Sequence, residues 1–369
     1  MTATPISSPV PVNAPEAPAG PDLSFAYTVN RSLVHRESLG EVFVTDLQES
    51  DDAHYAAAAQ LPRSHAYYGD HLLRPSTHDP VLLLEAARQA ALAGAHEFFG
   101  IPADHKFILT YLRIHLIRPQ LLTVGSSPLD LAMAVTVTDR RVREGRVTGL
   151  DQSFELSVGG ARIGWAGVGL RFRDPAGYRE LRLRNRDGAP LPTSAGFPAA
   201  PGSPAVPYLV GRNDPDNVVL LDPELRADGS ARAVLRTPAD HPSMFDHPQD
   251  HLPGMVLAEA ARQLALFTAL DNHGISAAKS VLVDLNVTFA KFGELEPTTV
   301  LVATADKERP AAGADGSDTY YTQGGPLELA EAGPGSAVTQ LPVTVDIRQH
   351  DESIARFALT LARIRGRAL

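Results

Sequence analysis

The sequence predicts an α+β protein carrying one domain twice, each copy a long central helix wrapped by a curved antiparallel sheet, the two packed as a pseudo-dimer. Three observations predict this. First, Val34, Arg36, Val42, Asp46, Pro62 and His65 recur in order as Val210, Arg212, Val218, Asp222, Pro238 and His241. Second, EAARQAALAGAHEFFGI at 85–101 returns as EAARQLALFTALDNHGI at 259–275, with ten of seventeen positions identical and EAARQ unbroken. A shared apolar pattern alone would not return Glu, Arg and Gln in register, and such internal repeats settle architecture early. Third, the segment around each EAARQ is apolar on nearly every side. A helix of that kind must be enclosed rather than lie on a surface.

Each element has a local reason. Residues 1–22 hold six prolines and no Lys or Arg, so they read as a disordered tail rather than a signal or transit peptide. A first domain is expected over 23–186 and a second over 208–369. The Pro-rich stretch 187–207 reads as the linker between them. In each copy a short strand comes first, Val42–Asp46 and Val218–Asp222. A loop rich in His and Pro follows, then one long helix, Val81–Phe99 and Met255–His273. Gly100 and Gly274 stand where a left-handed C-cap is needed. Strand-like runs come next: Phe107–Leu116, Leu129–Asp139, Gln152–Leu156 and Ala161–Phe172, matched by Ser280–Phe289, Thr298–Asp306, Val343–Asp346 and Ser353–Ile364. The Gly-, Ala- and Pro-rich stretch 309–340 reads as a long loop within the second copy. One helix followed by several strands is the shape of a hotdog domain, here in tandem.

Composition narrows the function. The chain has 369 residues and a formal net charge of −10, which disfavours nucleic-acid and anionic-membrane binding. No Cys is present, which excludes disulfides and thiolate chemistry and fits the cytoplasm. No apolar run is long enough to span a bilayer. There is no phosphate-binding GxxxxGK[ST] loop, no GxSxG elbow and no HExxH helix, so neither a nucleotide cofactor nor a metal is expected.

The polar string on the enclosed helix stands out. Glu85, Arg88 and Gln89, with Glu259, Arg262 and Gln263, interrupt an otherwise oily element, and buried charges must be paired or hydrogen-bonded. Two readings stand open. One is a structural i,i+3 ion pair, Glu85 with Arg88 and Glu259 with Arg262, bridging the copies. The other is a catalytic carboxylate in a dry acyl channel, with a cation aimed at a phosphate or an oxyanion. Around the helix starts lie His65, His71 and His78, then His241, His247 and His251, any of which could serve as an acid or base or simply order a Pro-rich loop.

These residues carry a resemblance. Pro253–Gln263 (PGMVLAEAARQ) is similar to the helix start of the β-hydroxyacyl-carrier-protein dehydratases. From Val34 to Ile364 the chain more closely resembles the A-factor biosynthesis (AfsA-type) family of γ-butyrolactone-precursor synthases. The motifs are Leu33–Arg36, Pro62–His65, His78–Glu85, Arg88–Gln89, His241–Pro242, Phe245–Pro248, Asp250–Met255 and Glu259–Gln263. The resemblance implies an acyltransferase that moves a β-ketoacyl group from acyl carrier protein to the hydroxyl of dihydroxyacetone phosphate. The ester goes on to a γ-butyrolactone, butenolide or furan signal controlling antibiotic production. It implies Glu85 and Arg262 as the catalytic pair, with Arg88, Gln89, Glu259, Gln263, His65, His78, His241 and His251 binding substrate. On this view burial raises the pKa of Glu85 so that it deprotonates the triose, while Arg262 holds the phosphate or steadies the oxyanion. A thioesterase or dehydratase on the same scaffold, or a non-catalytic acyl-binding regulator, are the alternatives.

Overall fold

The computed structural model describes residues 22–310, 329 and 338–364. The expected tail, apart from Asp22, and most of the expected loop at 309–340 lie outside the described residues.

The first half runs β1 (Val44–Asp51), β2 (His54–Leu61), α1 (Pro80–Glu97), β3 (Lys106–Leu116), β4 (Leu129–Arg143), β5 (Arg146–Val158) and β6 (Ala161–Arg173). A connecting helix, α2 (Pro175–Asn185), leads to the second half. That half comprises β7 (Leu220–Leu225), β8 (Ala231–Leu235), α3 (Gly254–His273), β9 (Ser280–Phe289), β10 (Val300–Ala305), the short β11 (Arg309–Pro310), β12 (Thr339–Gln349) and β13 (Glu352–Arg363). All strands join one sheet in the order β1-β2-β4-β5-β6-β3-β9-β13-β12-β10-β8-β7, with β11 beside β12. Replacing each strand by its counterpart in the other half reproduces the order from the opposite end. The halves meet at an antiparallel β3–β9 seam centred on Arg113 opposite Asn286.

Both long helices form because the chain caps them and buries them. The Asp79 carboxylate accepts a 2.8 Å hydrogen bond from the Val81 amide, and Pro80 needs no donor partner at the first helical position. Gly274, at φ 63°, closes α3 by donating to the Leu270 carbonyl at 2.9 Å. Fifteen of the eighteen residues of α1 are buried, which is the enclosure that its all-round apolarity requires. Gly94 lets α1 pack tightly on the sheet: a Cβ there would lie 2.6 Å from the Tyr55 ring.

The sequence pattern misses β2, β8 and α2, besides the two-residue β11. β2 is an alanine run whose helix propensity is overridden by pairing with both β1 and β4. β8 is only five residues long. α2 opens on Asp174, whose carboxylate accepts from the Gly177 amide at 2.8 Å. Among the described residues no helix is long and apolar enough to cross a membrane.

Candidate active site

On α1, Glu85, Arg88 and Gln89 are three and four residues apart and therefore share a face. Glu85 is fully buried. Its Oε1 accepts from Arg36 Nη2 at 2.6 Å, Arg88 Nη2 at 2.8 Å and Gln89 Nε2 at 2.8 Å, and its Oε2 accepts from Arg88 Nε at 2.7 Å. Gln89 also donates to the Glu41 carbonyl at 2.7 Å and accepts from the Phe43 amide at 2.9 Å, tying the helix to the chain before β1. The second half repeats this. Glu259 accepts from Arg212 Nε at 2.9 Å and Gln263 Nε2 at 2.6 Å, from Tyr67 of the other half at 3.2 Å, and from Arg262. Gln263 accepts from the Val219 amide at 3.0 Å and donates to the Asn217 carbonyl at 2.8 Å.

This geometry corrects the expected roles of two residues. Burial does push the Glu85 carboxyl up, but the Arg36 and Arg88 guanidiniums outweigh it and hold the group down at about 2. Glu85 is thus a fully engaged carboxylate, the reverse of a raised-pKa base. Arg262 Nη1 is bound by both Asp79 oxygens, at 2.6 and 2.7 Å, and Nη2 by Glu259. Burial opposes its charge, yet Asp79 and Glu259 keep it protonated above the ordinary arginine range. Both of its Nη atoms are thus already engaged by carboxylates of the protein itself. Glu85 and Arg262 belong to separate clusters.

Asp79 breaks the internal symmetry. Its counterpart before α3 is Pro253, which has no carboxylate to offer Arg88. Around Asp79, Pro80 and Arg262 only about 40 Å³ remains open, against Leu282 and Leu361. The start of α3 instead borders a cavity of about 610 Å³ lined by β3 (Ile108, Leu109), α2 (Leu181), His251, Gly254 and Lys291.

The histidines divide accordingly. The Nδ1 atoms of His65 and His241 each accept two backbone amides at 3.2 Å, from Tyr67 and Tyr68 and from Ser243 and Met244, so both order their turns. His78 is buried beside a small cavity of about 130 Å³ shared with His65 and His71. Burial, with His71 nearby, pushes its pKa down to about 4. His251 lies in the wall of the large cavity, its Nδ1 2.6 Å from Asp250 Oδ1. Tyr178 of α2 donates to Asp250 at 2.9 Å, and Arg182 donates to the Asp250 carbonyl at 2.9 Å. Burial raises the Asp250 carboxyl, but the His251 hydrogen bond and charge, with Arg182 and Tyr178, bring it down to about 2. The Asp250 carboxylate is thus the natural acceptor for a proton on His251 Nδ1, with Nε2 as the other ring nitrogen. Pro253 offers α3 no side-chain cap, the first amides of a helix lack intrahelical acceptors, and Gly254 lines the cavity. Sequence reasoning missed Arg36, Arg212, Asp79 and Asp250 as site residues. The matched recurrence of Arg36 and Arg212 is the signal that marks the first two. Among the described residues no group of three or more His, Cys, Asp or Glu is placed to hold a metal.

Comparison with known proteins agrees with this architecture. A family model for the A-factor biosynthesis hotdog domain matches residues 19–172 and 196–324. The chain is similar to proteins named 2-oxo-3-(phosphooxy)propyl 3-oxoalkanoate synthase. The one from Streptomyces virginiae is 36% identical over 242 residues, covering 64% of this chain and 76% of that protein. The one from Streptomyces griseus is 32% identical over 286 residues, covering 73% and 82%. Among solved structures, the 12:0-ACP thioesterase from Umbellularia californica aligns with TM-score 0.47 and 9% identity over 89% of this chain and 100% of that one.

Proposed function

The chain belongs to the A-factor biosynthesis hotdog family, and from that premise we propose that it is a 2-oxo-3-(phosphooxy)propyl 3-oxoalkanoate synthase working at the mouth of α3. It joins the β-ketoacyl group of an acyl carrier protein thioester to the hydroxyl of dihydroxyacetone phosphate. The ester is the first intermediate toward a γ-butyrolactone, butenolide or furan signal. The observation that carries the site assignment is the pairing of the Asp250–His251 dyad with a cavity of about 610 Å³ at an uncapped helix start.

The residues divide the chemistry. His251 Nε2 takes the proton from the triose hydroxyl as its oxygen attacks the thioester carbon. Asp250 fixes the tautomer and stabilises the imidazolium that forms. The oxyanion of the tetrahedral intermediate meets the Gly254 and Met255 amides at the positive end of the α3 dipole. Collapse forms the ester and expels the carrier thiolate, which regains the proton from His251. Glu85, Arg88 and Gln89, with Glu259, Arg262 and Gln263, hold the two helices and their preceding loops in register.

The test is ester formation from β-ketoacyl carrier protein with and without dihydroxyacetone phosphate, followed by mass spectrometry. The phosphorylated ester is expected only with the triose; free acid alone would make the protein a thioesterase. His251→Asn should fold and lose about 10²–10⁴ of turnover, the usual cost of a missing positioned base. Near-normal ester formation by that variant would move the chemistry elsewhere.

A further inference from the structure

The charge of this chain is unevenly spread. Lys106–Arg186 holds 14 Lys and Arg against 7 Asp and Glu, a net +7 inside a chain of net −10. The β4–β5 hairpin concentrates it. Arg140, Arg141, Arg143 and Arg146 are all exposed, and Val142 between them is 57% exposed. Its acids are Asp139, 3.2 Å from Arg141, and Glu144, 3.7 Å from Arg143.

Strand register connects this hairpin to the cavity. Arg141 stands opposite Gly149, Gly149 opposite Arg171, and Arg171 opposite Ile108, which lines the cavity. Three strand spacings make the separation about 14 Å. Arg171 is paired with Asp151 at 2.7 Å, whereas Arg173 at the end of β6 is exposed, as are Arg179 and Arg184 on α2, the helix that supplies Leu181 to the cavity wall. In the other half Leu361 of β13 stands opposite Leu282 of β9, and both border the small space at Asp79 and Arg262.

We propose that this arginine edge, the β4–β5 hairpin continued through Arg173 to α2, is the docking surface for the acidic carrier protein that delivers the acyl thioester to the α3 cavity. The proposal rests on the synthase reading above. Charge complementarity names the occupant: a strongly acidic protein gains from a concentrated positive edge on an otherwise acidic enzyme, and Val142 supplies an apolar anchor at its tip.

The experiment is the triple variant Arg141→Glu, Arg143→Glu, Arg146→Glu in the full chain. Turnover is measured with dihydroxyacetone phosphate and the same β-ketoacyl group carried either on acyl carrier protein or on pantetheine. The variant should raise KM for the carrier-bound donor by about ten- to a hundredfold. It should leave kcat and all pantetheine kinetics unchanged, and wild-type KM alone should rise steeply with salt. Equal loss with both donors, or no change with either, would overturn the proposal. Fluorescence anisotropy of labelled carrier protein reads the surface without turnover. If wild-type protein makes no ester from either donor, the synthase reading fails, while the docking surface still stands or falls on whether charge reversal weakens binding.

Discussion

Glu85 shows how a buried ionisable residue can be fully engaged by its neighbours. Its two oxygens accept four hydrogen bonds from two arginines and a glutamine. Glu85→Gln would keep the volume but leave Arg36 and Arg88 facing each other without a counter-charge. The variant should lose about 3–5 kcal/mol of stability, the typical cost of breaking a buried pair, measured by chemical denaturation. The charge also makes stability depend on acid. The folded-state pKa of about 2 lies below the ordinary 4.5, so the native state releases this proton more readily than the unfolded chain. The contribution is full above pH 4.5 and is lost as pH falls from there toward 2. The sequence made it legible that Glu85 must be paired, because an enclosed helix cannot hold a bare carboxylate. It left the partner open, since Arg36 is 49 residues away and only folding brings it to hydrogen-bond distance.

Among the elements, the long helices and most strands follow from patterning, while the contacts between elements depend on single small residues. Gly94 is one. One of its Cα hydrogens stands where no methyl fits, because the facing Tyr55 hydroxyl is held by Gln152 at 2.5 Å and the Ala90 carbonyl at 3.2 Å. Gly94→Ala should therefore cost about 1–3 kcal/mol, visible as a lowered melting temperature, even though alanine favours helix in general. The strand β2 was illegible for a related reason. Ala56–Ala59 carry no alternation strong enough to distinguish strand from helix, and only their pairing with β1 and β4 decides the outcome. α2 was hidden because its exposed face of arginines gives little apolar periodicity, although it supplies Tyr178 and Arg182 to the candidate site.

Across the whole molecule, the two halves share a sheet plan and differ at their helix starts. One start is capped by Asp79 and locked to Arg262; the other begins at Pro253 beside open space. The chain should therefore take up one equivalent of acyl pantetheine rather than two, counted by calorimetry. His78→Asn should leave turnover within about twofold, in contrast to His251→Asn; two equivalents would show that both mouths open. The doubling was plain from EAARQ returning in register. The inequality was written there too, as Asp79 against Pro253, but its meaning depends on Arg262 reaching across from the other half.

That inequality follows from the β3–β9 seam lying within a single polypeptide. In an assembly of two identical chains every codon is expressed on both sides, so a substitution that seals one mouth seals its twin as well. Covalent duplication removes that constraint: an aspartate can close one side while a proline leaves the other accessible.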